Sequence, residues 1–144
     1  MDVLGADFHG TIKDVHEKLG AKTAIMALPI GVENTFKGIA MILERQAVIW
    51  KGDETGAMYE IGDIADDMKE EVEKFRTQLI EQISETDDAL LEKFLNNQEP
   101  TIAELKAALR KATIANILVP VFPGSSLRNK GVQLLLDAVI DYLP

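Results

Sequence analysis

The sequence contains no cysteine, and that absence excludes three kinds of structure. There is no disulfide framework, no thiolate metal site and no cysteine nucleophile. Long apolar runs are missing as well, because none approaches the roughly 18 residues that a membrane-spanning helix needs. Asp2 and Asp7 stand where a secretory signal would have a basic and then an apolar stretch. We therefore expect no signal peptide and no membrane as partner.

Motifs of self-contained catalysis are also missing. Ser125 and Ser126 follow a predicted strand, but their turn lacks the Gly-x-Ser-x-Gly elbow of serine hydrolases. The glycines of the run Lys51-Gly-Asp-Glu-Thr-Gly enclose two acidic residues and no Lys-Ser/Thr follows, which favours a hairpin loop over a phosphate loop. His9 and His16 lack the i to i+4 spacing of helical metal pairs and are interpreted as surface residues. The residues alone thus predict a binding or structural module without a catalytic residue or a metal site.

The charge of the chain is strongly negative, and most of it lies in one segment. The net charge is −9. Between Asp63 and Glu99, twelve acidic and four basic residues give a balance of −8. Such a surface repels nucleic-acid phosphates and attracts basic partners, so we expect no sequence-specific nucleic-acid binding. The alternative interpretation is a solvated surface that keeps the protein soluble.

The stretch Ile117–Tyr142 has the order strand, small-residue loop and helix. The apolar run Ile117–Phe122 predicts a strand buried on both faces, as in a parallel sheet. A turn at Pro123–Ser126 follows, and apolar residues then recur at helical spacing, namely Val132, Leu135, Leu136, Val139, Ile140 and Leu143. This order is typical of the unit that places ligand loops at the carboxyl end of a sheet in open α/β folds.

The rest of the chain predicts one helix followed by a block of strands and then helices. The first helix is Phe8–Leu19, with an apolar stripe of Phe8, Ile12, Val15 and Leu19, Asp7 as its N-cap and Gly20 as its stop. Apolar and β-branched runs predict a small, mainly antiparallel sheet with strands at Thr23–Ile30, Phe36–Leu43, Ala47–Trp50 and Ala57–Ile61. Three helices follow, at Asp66–Ile83, at Asp87–Leu95 and from Thr101, which forms a capping-box pattern with Glu104.

The helix Asp66–Ile83 is predicted to be amphipathic. Its apolar residues step by three or four positions and form one stripe, namely Met68, Val72, Phe75, Leu79 and Ile83. At about 100° per residue, the opposite sector carries a surface that we call the acidic ridge, consisting of Asp66, Glu70, Glu73, Thr77 and Glu81 and interrupted by Lys74.

The end of the chain closely resembles the end of the GTPase domain of elongation factor G. The residues that carry the resemblance are the run Gly-Ser-Ser-Leu-Arg-Asn-Lys-Gly-Val-Gln, which begins at Gly124, and the run Leu-Leu-Leu-Asp-Ala-Val-Ile-Asp-Tyr-Leu-Pro after it. Four further segments fit the family in order and spacing: Met1-Asp2 with Gly5–Phe8, Leu28–Gly31, Gly62–Ile64 and Leu105–Thr113. The resemblance therefore covers essentially the whole chain.

The resemblance implies an α/β fold with an α+β insertion. Residues 1–19 and 114–144 would be the incomplete end of a Ras-like GTPase sheet. Residues 20–113 would be an inserted subdomain, a small antiparallel sheet packed with helices. It also implies a guanine site, in which Asp2 would match the aspartate of the Asn-Lys-x-Asp motif. Ser125, Ser126 and Leu127 would match the second guanine loop, Ser-Ala-x, and Ser126 stands where the family usually has alanine.

The resemblance further implies that the parent protein is a ribosomal translocation GTPase that uses GTP, GDP and magnesium. The phosphate-binding loop, the switch segments and the magnesium ligands of the family would lie before Met1, so this chain alone should be inactive as a GTPase. The inserted subdomain of the family is similar to a docking surface for the basic C-terminal domain of the ribosomal stalk protein. The matching residues here are Glu70, Glu71, Glu73 and Glu81.

Other interpretations stay open on the sequence. The parent could be another translational GTPase, such as a ribosomal protection protein or a release factor. The chain could also be a stand-alone acidic binding module. Both a bacterial cytoplasm and an organelle matrix are consistent with the resemblance.

Overall fold

The computed structural model describes residues 1–51 and 58–144 of the chain. Within these ranges the fold is α+β, with a two-stranded parallel sheet, a four-stranded antiparallel sheet and five α-helices. The helices are α1 (Phe8–Leu19), α2 (Asp66–Ser84), α3 (Asp88–Leu95), α4 (Ile102–Ile114) and α5 (Val132–Tyr142). The strands are β1 (Thr23–Ile25), β2 (Ala27–Ile30), β3 (Gly38–Met41), β4 (Gln46–Trp50), β5 (Tyr59–Asp63) and β6 (Val119–Val121).

Helix α1 has the caps that its sequence predicts. The Asp7 carboxylate accepts a hydrogen bond from the Gly10 N–H at 3.0 Å, and Gly20 ends the helix in the left-handed region at φ 63°. Its apolar stripe is only partly buried, since Phe8 lies in the core whereas Leu19 is 75% exposed. The predicted apolar stripe is therefore buried at the start of the helix and exposed at its end.

The predicted strand Thr23–Ile30 is in fact two strands that belong to different sheets. Strand β1 pairs in parallel with β6, whereas β2 pairs antiparallel with β3. Met26 lies between them, and its N–H donates to the Val121 carbonyl at 3.0 Å while its carbonyl accepts from the Ile42 N–H at 3.0 Å. The chain thus changes sheets at one residue without losing a backbone hydrogen bond.

The antiparallel sheet has the order β2-β3-β4-β5, in which each strand pairs with the next along the chain. Strands β3 and β5 lie at Gly38–Met41 and Tyr59–Asp63, so β3 is shorter than predicted and β5 begins two residues later. Strand β4 agrees with its prediction apart from one added residue, Gln46. The predicted hairpin loop after Lys51 and the residue Ala57 lie outside the described residues.

Helices α2 to α4 agree closely with their predicted bounds, because their signals are local. The apolar stripe of α2 faces the core, with Val72, Leu79 and Ile83 buried. Asp87 caps α3, and Thr101 and Glu104 form the predicted capping box of α4. These helices cover one face of the antiparallel sheet through a cluster that includes Leu28, Ala40, Ala47, Val72, Leu79, Leu105 and Leu109.

Helix α5 packs through side chains that the sequence did not single out. Ala138 and Tyr142 are buried in the same cluster as Leu28 and Ala40. Leu134 packs against a second cluster, which consists of Ala27, Phe36, Ile39, Val48 and Trp50. Most of the apolar residues that recur at helical spacing are 43–74% exposed, namely Leu135, Leu136, Val139, Ile140 and Leu143. An incomplete sheet was expected to leave the apolar face of this last helix exposed, and these residues are exposed.

Strand β6 is also less buried than predicted. Val119 is 45% exposed and Ile117, just before the strand, is 47% exposed. The parallel pairing is confirmed, but one partner strand covers only one edge of β6. No helix in the described ranges is long and apolar enough to cross a membrane.

Candidate functional site

Two backbone hydrogen bonds join the ends of the turn after β6. The N–H of Ser125 donates to the Lys130 carbonyl at 2.8 Å, and the Lys130 N–H donates back to the Ser125 carbonyl at 2.9 Å. Gly131 follows with φ 86°, and a Cβ atom there would lie 3.2 Å from the Pro123 carbonyl oxygen, so glycine suits the position. The turn therefore holds residues 125–130 in a defined loop immediately before α5.

Asp2 lies against this turn although it comes from the opposite end of the chain. Its carboxylate is 7% exposed and its Oδ2 is 3.2 Å from Nε of Arg128. A hydrogen bond with the Ser125 side chain, helped by the positive charge of Arg128, lowers the pKa of Asp2 below its ordinary value. The carboxylate is therefore ionised at neutral pH and is held beside the turn.

The segment that carries Asp2 is also hydrogen-bonded to the loop after β2. The Met1 carbonyl accepts from the Glu33 N–H at 2.9 Å, and the Glu33 carboxylate accepts from the Gly5 N–H at 2.7 Å. Three loops thus meet at the same place, which gives the carboxylate of Asp2 a fixed position.

The other two candidate residues of the guanine site lie on the outer surface of the turn. Ser126 is exposed and Leu127 is 87% exposed, whereas Ser125 is 4% exposed. The structure therefore brings together all four residues, Asp2, Ser125, Ser126 and Leu127, but buries only the first pair. A carboxylate beside exposed backbone can accept two N–H donors from a planar ligand.

The acidic ridge on α2 is exposed along its length, as predicted. Glu70 and Glu81 are exposed and make no ion pair with any described residue. Asp66 pairs with Lys69 at 2.6 Å on the same helix. The unpaired carboxylates therefore lie one turn after the start of the ridge and at its end.

Glu73 is not a free member of the ridge. Arg45, at the turn between β3 and β4, donates from Nε and Nη2 to its two carboxylate oxygens at 2.5 and 3.0 Å. This bidentate pair lowers the pKa of Glu73 and neutralises its charge. Arg45 also lies 3.5 Å from Glu99, which pairs with Arg76 at 2.6 Å. These ion pairs connect α2 to the turn between β3 and β4 and to the loop between α3 and α4.

Glu71 points away from the acidic ridge. Its carboxylate is 3.7 Å from Nε2 of His9 on α1, and the His9 ring stacks on Phe75 with ring centroids 5.8 Å apart. His9 and His16 are both exposed, which confirms their interpretation as surface residues. Among residues 1–51 and 58–144, no group of His, Asp or Glu side chains has the arrangement of a metal site.

Sequence reasoning missed Arg45, Arg76 and Arg128. Arg76 is 5% exposed, so an arginine lies on the packed side of α2 among apolar residues. Its helical phase, next to the apolar stripe, was a signal that it would be buried. The sequence holds no comparable signal for Arg45 or Arg128, because their partners are far away along the chain.

Comparison with known proteins finds a structural relative but no family. No family model matches this sequence. The chain is similar to a crystal structure of a protein from Thermus thermophilus whose name states no activity, with 28% sequence identity and a TM-score of 0.83. The match covers 97% of this chain but only 20% of that protein. The chain thus spans about one fifth of the length of the solved protein that it matches.

Proposed function

We propose that this chain is part of a translational GTPase that resembles elongation factor G, and that its acidic ridge docks the basic C-terminal domain of the ribosomal stalk protein. One observation carries the nucleotide part of the proposal. Asp2 and the turn Ser125–Leu127, which the resemblance assigns to one guanine base, lie side by side although they come from opposite ends of the chain.

The surroundings of Asp2 fit a guanine base. Guanine presents two adjacent N–H donors, and a carboxylate held ionised can accept both. The Asp2 oxygens are engaged by Arg128 and Ser125, but each carboxylate oxygen has two acceptor positions. Ser126 and Leu127 are exposed residues, which leaves space beside them for the oxygen of the base.

The fold is consistent with the incomplete end of a Ras-like sheet. Strands β1 and β6 are parallel, and β6 leads through the turn into α5. In open α/β sheets, ligands bind beyond the carboxyl ends of such strands. GTP or GDP and magnesium would be held mainly by parts of the parent that precede this chain, in a bacterial cytoplasm or an organelle matrix.

The nucleotide part is tested by adding GDP to the 144-residue chain and recording amide NMR spectra. Because the groups that bind phosphates are missing, we expect no GTP hydrolysis and no saturation at about 1 mM nucleotide. Shifts caused by GDP should concentrate at Asp2 and Ser125–Leu127, and ADP should not reproduce them. Asp2→Asn should abolish them, because the asparagine amide would place an NH2 donor opposite one of the two N–H donors of the base.

The matched control is Asp88→Asn, an exposed aspartate on α3. It should leave the GDP shifts unchanged. Equal shifts with ADP and GDP, or shifts that survive Asp2→Asn, would contradict the guanine assignment. A GTPase rate in pure chain would contradict the view that the catalytic parts lie elsewhere.

A second candidate is a stand-alone acidic binding module, and the unpaired Glu70 and Glu81 favour it as well. Such a module would dock a partner on the same acidic ridge but would not bind a guanine nucleotide. Binding of the stalk domain together with a complete lack of GDP-dependent shifts would select this candidate.

A further inference from the structure

Strand β5 forms an open edge of the antiparallel sheet. In the described part of the chain it pairs only with β4, and all five of its residues are exposed. The Lys51 N–H donates to the Met58 carbonyl at 3.1 Å. Because hydrogen-bonded pairs alternate along an antiparallel ladder, the peptide groups of Glu60 and Gly62 also face β4. Those of Tyr59, Ile61 and Asp63 therefore face outward.

This edge lacks two of the features that usually block strand pairing. Natural edge strands carry charged side chains, proline or a bulge. The strand Tyr-Glu-Ile-Gly-Asp has no proline, its register with β4 is continuous from Tyr59 to Asp63, and its only charged side chains are acidic. Its apolar side chains reach solvent, with Ile61 59% exposed and Met58, just before the strand, 65% exposed.

A cavity of about 250 Å³ opens beside Ile61, between the sheet and α5. Met41 and Val48 contribute its apolar wall, and its acidic lining residues are Glu44, Asp137 and Asp141. Lys106 pairs with Glu44 at 2.8 Å and lies 3.9 Å from Asp141. Asp137 has no ion pair with any described residue, so the cavity keeps an excess of negative charge.

Unpaired negative charge lies on the edge itself and in the neighbouring cavity. On β5, Glu60 pairs with Lys51, whereas Asp63 is exposed and makes no ion pair with a described residue. A second copy of this chain on the same edge would bring its own Asp63 and Asp137 close to these carboxylates, which opposes self-pairing. An extended segment with basic side chains has the complementary charge.

We propose that β5 binds an extended, basic segment of a partner protein, which adds to the antiparallel sheet as a fifth strand. The outward peptide groups of Tyr59, Ile61 and Asp63 supply the main-chain hydrogen bonds. A lysine or arginine beside Ile61 lays its apolar stem over the Ile61 side chain and directs its charge toward Asp137. This surface lies on β5 and is separate from the acidic ridge of α2.

The test uses the 144-residue chain and a synthetic peptide, acetyl-Lys-Val-Lys-Val-Lys-Val-Lys-amide, with binding followed by amide NMR shifts. Ile61→Pro removes an outward N–H and keeps the ladder to β4, since residue 61 does not bond to β4. We expect about tenfold weaker binding for Ile61→Pro. The matched variant Ile61→Thr keeps the N–H and should bind within about threefold of the original chain.

Two peptide controls make the result independent of the variant's folding. A peptide methylated on alternate amide nitrogens cannot complete the ladder and should bind the unaltered chain about tenfold more weakly. A peptide with glutamate in place of lysine should not bind. The proposal is overturned if the methylated or the glutamate peptide binds as well as the first, if the first peptide does not bind, or if Ile61→Pro abolishes a dimer of this chain.

Discussion

Glu104 is held by three donor groups from two residues, Lys93 and Thr101. Lys93 pairs with it, and Thr101 donates to its Oε2 from the backbone N–H at 2.9 Å and from the hydroxyl at 3.0 Å. These contacts, with Lys93 first, lower the pKa of Glu104 to about 2. The folded pKa lies below the ordinary value of 4.5. The stabilisation is therefore present above about pH 4.5 and is lost as the pH falls through about 2.

We predict that Glu104→Gln lowers the melting temperature at pH 7 by a few degrees, and that this difference shrinks between pH 4.5 and pH 2. Thermal unfolding of both proteins across this pH range measures it. Glu92→Gln is the control, because Glu92 is exposed and makes no ion pair with a described residue. A difference for Glu104→Gln that stays constant down to pH 2 would contradict the assigned cause.

Residue-level predictions succeeded where the partner is close in sequence. Asp7 caps α1 and Thr101 caps α4 because the donor lies three residues ahead in each case. They failed where the partner is remote: Glu73 was expected to be available, but Arg45 holds it from 28 residues away. Spacing rules describe one helix or one turn, and such a pair depends on how the elements pack.

At the scale of elements, Met26 marks the point where the chain passes from the parallel sheet to the antiparallel sheet. The sequence Thr23–Ile30 reads as one apolar run because both halves are buried, and periodicity does not show that the halves belong to different sheets. The Met26 side chain is 2% exposed and packs in the first core cluster. It therefore stabilises the joint between the two sheets.

Met26→Ala should lower the free energy of unfolding by about 2–5 kcal/mol, the usual range for removing a buried methionine. Urea denaturation measures this change. Met58→Ala is the matched control, since Met58 is 65% exposed and should change stability by less than about 0.5 kcal/mol. A cost below about 1 kcal/mol for Met26→Ala would show that the joint does not depend on this side chain.

Helix α5 shows the limit of reasoning from periodicity. The sequence predicted a helix here and the structure has one, but its most apolar side faces solvent. Hydrophobic spacing identifies the apolar side of a helix but does not show which element packs on it. In the described part of this chain, little packs on the apolar side of α5. The stripe adjoins an apolar groove of about 280 Å³ lined by residues of β6 and α5.

At the scale of the whole molecule, we expect self-association through this stripe. Exposed contiguous apolar surface favours contact between copies, and Leu136 and Ile140 are 58% and 74% exposed. Sedimentation velocity should show a mass that rises with concentration, and Leu136→Gln with Ile140→Gln should reduce that rise. Leu95→Gln, on α3 and 72% exposed, should not. A monomer at all concentrations would contradict the expectation.

Much of the global arrangement could be predicted from the sequence. The elements, their order and the small antiparallel sheet were predicted, and the parallel pairing of β6 was expected from its apolar run. The meeting of Asp2 with Ser125 came only from the resemblance, because no local pattern connects residues at opposite ends of a chain. The open edge of β5 was not predicted, since strand order depends on which neighbours are present.

Docking of the stalk protein on the acidic ridge can be measured by calorimetric titration of the chain with the C-terminal domain of the ribosomal stalk protein. Glu70→Lys with Glu81→Lys reverses the two unpaired charges of the acidic ridge. Asp14→Lys with Glu17→Lys on α1 makes the same change in net charge elsewhere. We expect about tenfold weaker binding and a flatter salt dependence for the first variant, and unchanged binding for the second. Equal affinities for the ridge variant and the unaltered chain would contradict this expectation.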